Sequence, residues 1–202
     1  MSSTQLILAS ASPRRQQLLT QLGVAHQVSA QNIDETRIAG EAPVDFVCRM
    51  AMEKARAALL QLDAADETVI LASDTVVVCA GEVLGKPLDR GDAVSMLLKL
   101  SDKVHQVLSA ITVLNKHRES SACSMTRVQF REIQAEEADQ YWQTGEPAGK
   151  AGAYAIQGFG AAFVKTIDGS YSGVMGLPLF ETAQLLSEFG IPCWQIATET
   201  DA

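Results

Sequence analysis

The chain opens on a short apolar run, residues 5–9, whose length and flanks predict a buried strand. Ser12 then stands as an N-cap, Pro13 at the first helical position and Gly23 just past the end. The interval between them predicts a helix with Leu18, Leu19 and Leu22 on its apolar side. Residues 24–30 read as a second strand and residues 32–40 as a polar loop. From 43 to 62 the apolar positions recur at helical spacing, with Val47, Met50, Ala51, Ala58 and Leu62 on one face. Residues 68–79 form a β-rich apolar run, and 89–100 a helix for which Asp89 is the cap. The stretch 103–130 predicts two or three strands with polar turns near 115–121, followed by a helix over 135–144. A glycine-rich segment spans 149–160, and a strand over 161–167 ends at the Asp168-Gly169 turn. A last helix opens at Pro178 and stops at Gly190, with Pro192 just beyond.

Strands and helices alternate through the first hundred residues, which predicts α/β layering. The strand-rich middle extends this to a mixed, twisted sheet split into two lobes around a cleft. A length of 202 residues suits one such domain, read here as residues 1–196, with a polar tail over 197–202.

Composition narrows the function classes. Hydrophobic residues make up 47 % and charged residues 20 %, which is the balance of a folded, soluble domain rather than a disordered one. The net charge of −8 repels nucleic acid and anionic membranes, so neither is expected as a partner. A polyanionic substrate must then be met by a local cationic cluster. Cys48, Cys79, Cys123 and Cys193 are too widely spaced for a zinc or redox motif and read as buried free thiols of a cytoplasmic protein. His26, His105 and His117 lack metal-ligand spacing. The first apolar run is too short for a signal peptide or a membrane span.

Four segments break the core pattern. Ser73-Asp74-Thr75 interrupts a valine-rich strand, where an ionised carboxylate costs several kcal/mol unless it is paired or metal-bound. Asp74 is either a strand-end residue capping backbone N–H groups or a general base or metal ligand facing a cleft. Lys54 falls inside the apolar stripe of its helix: it either snorkels to water or reaches into a cleft toward phosphate oxygens. Pro87 restricts Lys86 to an extended backbone, so Lys86 is a surface-loop lysine or a fixed cation. Ser10, Ser12, Arg14 and Arg15 surround a helix N-terminus, which is an ordinary capped helix or a phosphate site without the glycines of a Walker A or Rossmann loop. Arg14, Arg15, Lys54 and Lys86 are the cluster that an acidic protein would need, and Glu35 and Asp74 are candidate hard oxygen ligands for Mg²⁺.

Seven short motifs occur in fixed order: Ser10-Ala11-Ser12-Pro13-Arg14-Arg15, Asp34-Glu35, Glu53-Lys54-Ala55, Ser73-Asp74-Thr75, Gly85-Lys86-Pro87, Ala153-Tyr154-Ala155-Ile156-Gln157-Gly158 and Gly176-Leu177-Pro178. In that order they resemble the Maf family, and the likeness runs from about residue 5 to about residue 190. The resemblance implies a two-lobed α/β fold related to that of inosine triphosphatase, commonly a homodimer. It implies a nucleoside triphosphate pyrophosphatase that uses a divalent cation, Mg²⁺, Mn²⁺ or a similar ion. Asp74 would accept the proton of the attacking water, and Glu35, with Asp74, would hold the metal. Arg15, Lys54 and Lys86 would bind the phosphate chain, with Ser10 beside them.

Arg14, Thr75 and Gln157 match the family's dTTP/UTP branch; the branch acting on 7-methyl-GTP carries Trp, Gln and Glu at these positions. The Gln157 amide both donates and accepts, which suits the O4/N3–H edge of uracil or thymine. Two alternatives share the phosphate cluster. One is a nucleotide-binding regulator of septum formation without turnover, and the other an enzyme acting mainly on modified pyrimidine nucleotides.

Overall fold

The computed structural model describes residues 5–62 and 67–195; the tail expected over 197–202 lies outside the described residues. The strands are β1 (Gln5–Leu8), β2 (Gln27–Val28), β3 (Thr68–Cys79), β4 (Glu82–Leu84), β5 (Val104–Leu114), β6 (Glu119–Phe130) and β7 (Val164–Asp168). The helices are α1 (Pro13–Gln21), α2 (Pro43–Gln61), α3 (Arg90–Leu100), α4 (Ala135–Gln143), α5 (Tyr171–Met175) and α6 (Leu179–Glu188). The seven strands of the described residues join one mixed sheet in the order β2-β1-β3-β5-β6-β7, with β4 attached to β3. β1 pairs in parallel with β2 and β3, and the remaining pairs are antiparallel.

The apolar run predicted over 68–79 is the single strand β3, and its pairing creates the cleft. One edge is matched to β5 from Ile70 to Val78. The other edge is shared. Its start pairs with β1 up to Leu8 opposite Leu71, and its end pairs with β4 from Val77 opposite Leu84. Between these two ladders, residues 72–76 have no strand beside them on that edge among the described residues. The gap exists because the chain leaves β1 for α1, while β4 returns through a two-residue hairpin. Ala80 and Gly81 both have positive φ, 49° and 82°, the conformation that a tight turn between twisted strands requires.

Helix α2 lies across β3 and β5 with Val47, Met50, Ala51, Ala55 and Ala58 fully buried. The small side chains let the helix approach the sheet closely. Leu62, expected on this apolar face, is 38 % exposed because the helix ends at Gln61 and Leu62 is only its C-cap. The strand expected over 24–30 shrinks to two paired residues. Val24 instead packs beneath α1, with its N–H bonded to the Leu19 carbonyl at 3.1 Å. The strand expected from 161 begins at Val164, since residues 159–163 wind into a 3₁₀ turn. All four cysteines are free, but only Cys79 is buried; Cys48 and Cys193 are half-buried and Cys123 is exposed.

On the opposite face, His105 packs edge-on against Phe130, with centroids 4.8 Å apart, and its Nε2 meets the Tyr154 hydroxyl at 2.9 Å. Burial lowers the imidazole pKa to about 4, so the ring is neutral in the folded protein at neutral pH. The unfolded chain, with an ordinary histidine, binds the proton first as pH falls. Stability should therefore be independent of this group above pH about 7 and fall as pH drops from about 6.5 to about 4, by up to about 3 kcal/mol. Thermal melts of the wild type and His105→Gln across that range provide the check; the variant should show the flatter profile.

Candidate active site

The gap in the sheet opens into a cavity of about 500 Å³. The period-two alternation of β3 splits its three polar residues between faces. Asp74 points to the α2 side, between Ala72, which packs with Ala55 and Ala58, and Val76, which packs with Phe46, Val47, Met50 and Ala51. Lys54 sits on α2 between these two apolar groups and is itself only 8 % exposed. Its ammonium does not snorkel to open water: Nζ donates to Asp74 Oδ1 at 2.7 Å and contacts Glu35 Oε1 at 2.6 Å. Lys86, from the extended segment after β4, approaches Glu35 Oε2 at 3.7 Å.

Ser73 and Thr75 point to the other face. The Ser73 hydroxyl donates to the Gly176 carbonyl at 2.8 Å. Thr75 Oγ1 accepts from Arg15 Nη2 at 3.3 Å and shares a hydrogen bond with Ser109 Oγ at 2.9 Å. Ser109 in turn donates to the Gly173 carbonyl at 2.6 Å.

The helix N-terminus predicted at Ser12 supplies the third wall. Ser12 Oγ accepts from the Arg15 backbone N–H at 3.5 Å, as a cap should. Arg15 carries its guanidinium back over β3, where Nε donates to the Gly176 carbonyl at 2.8 Å and Nη1 to Ser10 Oγ at 3.2 Å. Arg14 Nε donates to the Met175 carbonyl at 3.3 Å. These bonds fix two cations against the short helix α5, an element too short to leave a periodic signal in the sequence.

Ser10, Arg14, Arg15, Glu35, Lys54, Asp74, Thr75, Lys86 and Gln157 all line this one cavity, although they come from segments up to 147 positions apart in the chain. Lys150, Gln31 and Tyr154 line it as well and were not among the expected site residues. The cavity thus gathers five cationic side chains against two carboxylates inside a chain of net charge −8. Burial and then the charge of Arg14 hold Lys150 below the ordinary lysine range. Burial pushes the Glu35 carboxyl up, but Lys54, Lys86 and Arg15 outweigh it and hold the group below the usual carboxylate range. Glu35 is therefore ionised at neutral pH, and its ion pair with Lys54 is lost only as pH falls through that lowered pKa. A second cavity of about 520 Å³, between the ends of β3, β5, β6 and β7, matches the first in size. Among the described residues it brings together only Arg127 and Asp168 as charged groups, so chemistry and not volume separates the two.

The donor set fits a hard divalent ion that keeps water and substrate ligands. Among the described residues no group of three or more His, Cys, Asp or Glu forms a cage. Two carboxylates converge on one point, however, where the Lys54 ammonium already bridges them. Mg²⁺ is commonly held by one or two carboxylates plus substrate phosphates, and Glu35 and Asp74 match that pattern.

A family model described as "Maf-like protein" matches residues 5–189. A Saccharophagus degradans protein named dTTP/UTP pyrophosphatase is 49 % identical over 96 % of this chain and 93 % of its own length. A Vibrio vulnificus protein of the same name is 48 % identical over 92 % of this chain and 98 % of its own. One from Bordetella avium is 49 % identical over 93 % and 96 % respectively. Among solved structures, the Staphylococcus aureus Ham1 protein aligns with 62 % of this chain and 71 % of its own, at 14 % identity and a TM-score of 0.44.

Proposed function

This chain belongs to the Maf family, and we propose that it hydrolyses the α–β phosphoanhydride of dTTP and UTP to the nucleoside monophosphate and pyrophosphate. The observation that carries the reading is the cationic cavity built around a carboxylate at a break in the sheet. Its relatives' shared name supplies the substrate class.

In the proposed mechanism the triphosphate lies across the N-terminus of α1, with Arg15, Lys54 and Lys86 along its oxygens and Ser10 beside them. The partial positive charge of the helix end adds to the side-chain charges. Asp74, with one oxygen on Lys54, offers the other to the attacking water. The water oxygen bonds to the α-phosphorus, its proton passes to the carboxylate, and the bond to the bridging oxygen breaks to release pyrophosphate. Lys54 and Lys86 offset the charge that accumulates on the leaving group. A divalent cation, Mg²⁺ or Mn²⁺, held by Glu35, Asp74 and phosphate oxygens, would neutralise further charge on the chain of phosphates.

Arg14, Thr75 and Gln157 are assigned to substrate choice. Gln157 is exposed toward the cavity and carries an amide that complements the uracil or thymine edge. Thr75 acts through its neighbours, since its hydroxyl is engaged by Arg15 and Ser109. The proposal extends to a homodimer in the cytoplasm, in keeping with the family resemblance and with four free thiols. It treats the chain up to residue 196 as one two-lobed domain, in keeping with a single sheet threaded by all seven strands.

Product analysis is the direct test. A panel of nucleoside triphosphates with Mg²⁺ should release pyrophosphate first, fastest from dTTP and UTP. Orthophosphate as the first product would overturn the cleavage site. Binding of nucleotide and metal without any turnover would instead favour a regulator.

A further inference from the structure

Glu146 does not line the cavity, yet one side of it is wired to the segment that carries Gln157. Its Oε1 accepts from the Tyr141 hydroxyl at 2.6 Å and from the Gly160 N–H at 3.0 Å, and its Oε2 accepts from the Phe159 N–H at 3.0 Å. The Tyr141 oxygen also accepts from the Ala155 N–H at 3.1 Å. The segment is therefore tied at both ends, at 155 through Tyr141 and at 159 and 160 through Glu146. Gln157 stands in the middle of the span, exposed toward the cavity.

The fit leaves no room for slack. A Cβ at Gly158 would lie 1.9 Å from Glu146 Oε2, so the carboxylate occupies space that any side chain at 158 would need. Burial pushes the Glu146 carboxyl up, but the tyrosine hydroxyl and the two amides outweigh it and keep it below the usual carboxylate range. An ionised carboxylate accepting three hydrogen bonds is a firmer anchor than a neutral one. The bonds to Phe159 and Gly160 cap the first turn of the 3₁₀ segment 159–163, and with the Tyr141 bond to Ala155 they set the path of residues 155–160.

We infer that Glu146, acting with Tyr141, is a positioning residue that fixes the Gln157 amide and thereby sets nucleobase selectivity. The inference rests on the role of Gln157 given under Proposed function and goes beyond it by naming the groups that impose the selectivity. An amide reads uracil against cytosine only when its donor and acceptor ends are held in one orientation, because the two bases present reversed hydrogen-bonding patterns at the 4-position and N3. A loosened segment would let the amide turn over and accept either base.

The test is a double-mutant cycle on the UTP:CTP ratio of kcat/KM, with Glu146→Gln, Gln157→Ala and the pair. Glutamine keeps the shape of Glu146 but turns one acceptor into a donor facing backbone N–H groups. Each single variant should lower the ratio by about tenfold, and the double variant should lower it no further than Gln157→Ala alone. Tyr141→Phe, which deletes one hydroxyl, should shift the ratio in the same direction and remains usable if Glu146→Gln folds poorly. Hydrogen exchange at the amides of 155, 159 and 160 should quicken in Glu146→Gln. If Gln157→Ala lowers the ratio while Glu146→Gln and Tyr141→Phe keep it, the inference is overturned and the role of Gln157 stands. If both substrates lose kcat/KM equally, Glu146 is merely structural and the inference is likewise overturned. If Gln157→Ala leaves the ratio unchanged, the base-reading role of Gln157 falls and takes the inference with it.

Discussion

Asp74→Asn is expected to cut turnover of dTTP by roughly 10²–10⁴-fold, the range that general-base action contributes, while the folded state survives. Asparagine is nearly isosteric and can still accept from Lys54 through its amide oxygen, where the carboxylate now accepts at 2.7 Å. It cannot take a proton from water at neutral pH. The neighbouring packing should hold, because Ala72 and Val76 on the same face of β3 remain fixed against α2. Lys54 keeps its second carboxylate, Glu35, at 2.6 Å, so the substitution does not leave a buried charge alone. The loss should therefore appear in kcat at saturating metal and nucleotide, with a melting temperature shifted by only a few degrees. Steady-state kinetics beside a thermal melt decide the matter. Near-normal turnover of dTTP and UTP would remove Asp74 from the role of base.

Much of this site was legible in the sequence because its residues violate local rules. An aspartate inside a valine-rich strand and a lysine inside an apolar helical stripe each demand a partner, and the two prove to be partners of one another. The serine cap and proline at the start of α1 were equally plain, since capping is a local property of the chain. What stayed hidden depends on distant segments. The gap on the edge of β3 arises from where β1 ends and β4 begins, which no window of sequence contains. Helix α5 has only five residues, too few for a periodic signal, yet Arg14 and Arg15 are anchored to carbonyls at its end. Lys150 sits in a glycine-rich stretch where a lysine looks like ordinary surface charge, and only the folded chain brings it to the cavity beside Arg14. Glu146 had no signal at all: its partners are the Tyr141 hydroxyl and backbone amides thirteen and fourteen positions away.

Lys54→Met should have the second large effect, because the lysine serves the folded state and the substrate at once. Methionine fills the stem's place on α2 between the apolar groups around Val47 and Ala58, so packing alone predicts little change. The ammonium is another matter. Without it, Asp74 Oδ1 and Glu35 Oε1, both now within 2.7 Å of Nζ, face each other with no shared cation. Removing one partner from a fully buried ion pair costs about 3–5 kcal/mol, and an opening to water reduces that. The Glu35 side chain is 47 % exposed, so a stability loss of about 1–2 kcal/mol is expected from denaturant unfolding. Activity should suffer more, by on the order of 10³-fold in kcat/KM for dTTP, since one phosphate-facing charge is lost and the negative charge left behind repels the substrate. The two defects should respond differently to Mn²⁺. A divalent ion between the carboxylates can replace the lost cation, so Mn²⁺ should raise the melting temperature of Lys54→Met more than that of the wild type. The lost phosphate contact cannot be restored in that way, and kcat/KM should remain low at saturating Mn²⁺. The lack of any Mn²⁺ shift in Lys54→Met would show that the two carboxylates do not share an ion. Wild-type kcat/KM in the variant would remove Lys54 from the phosphate site.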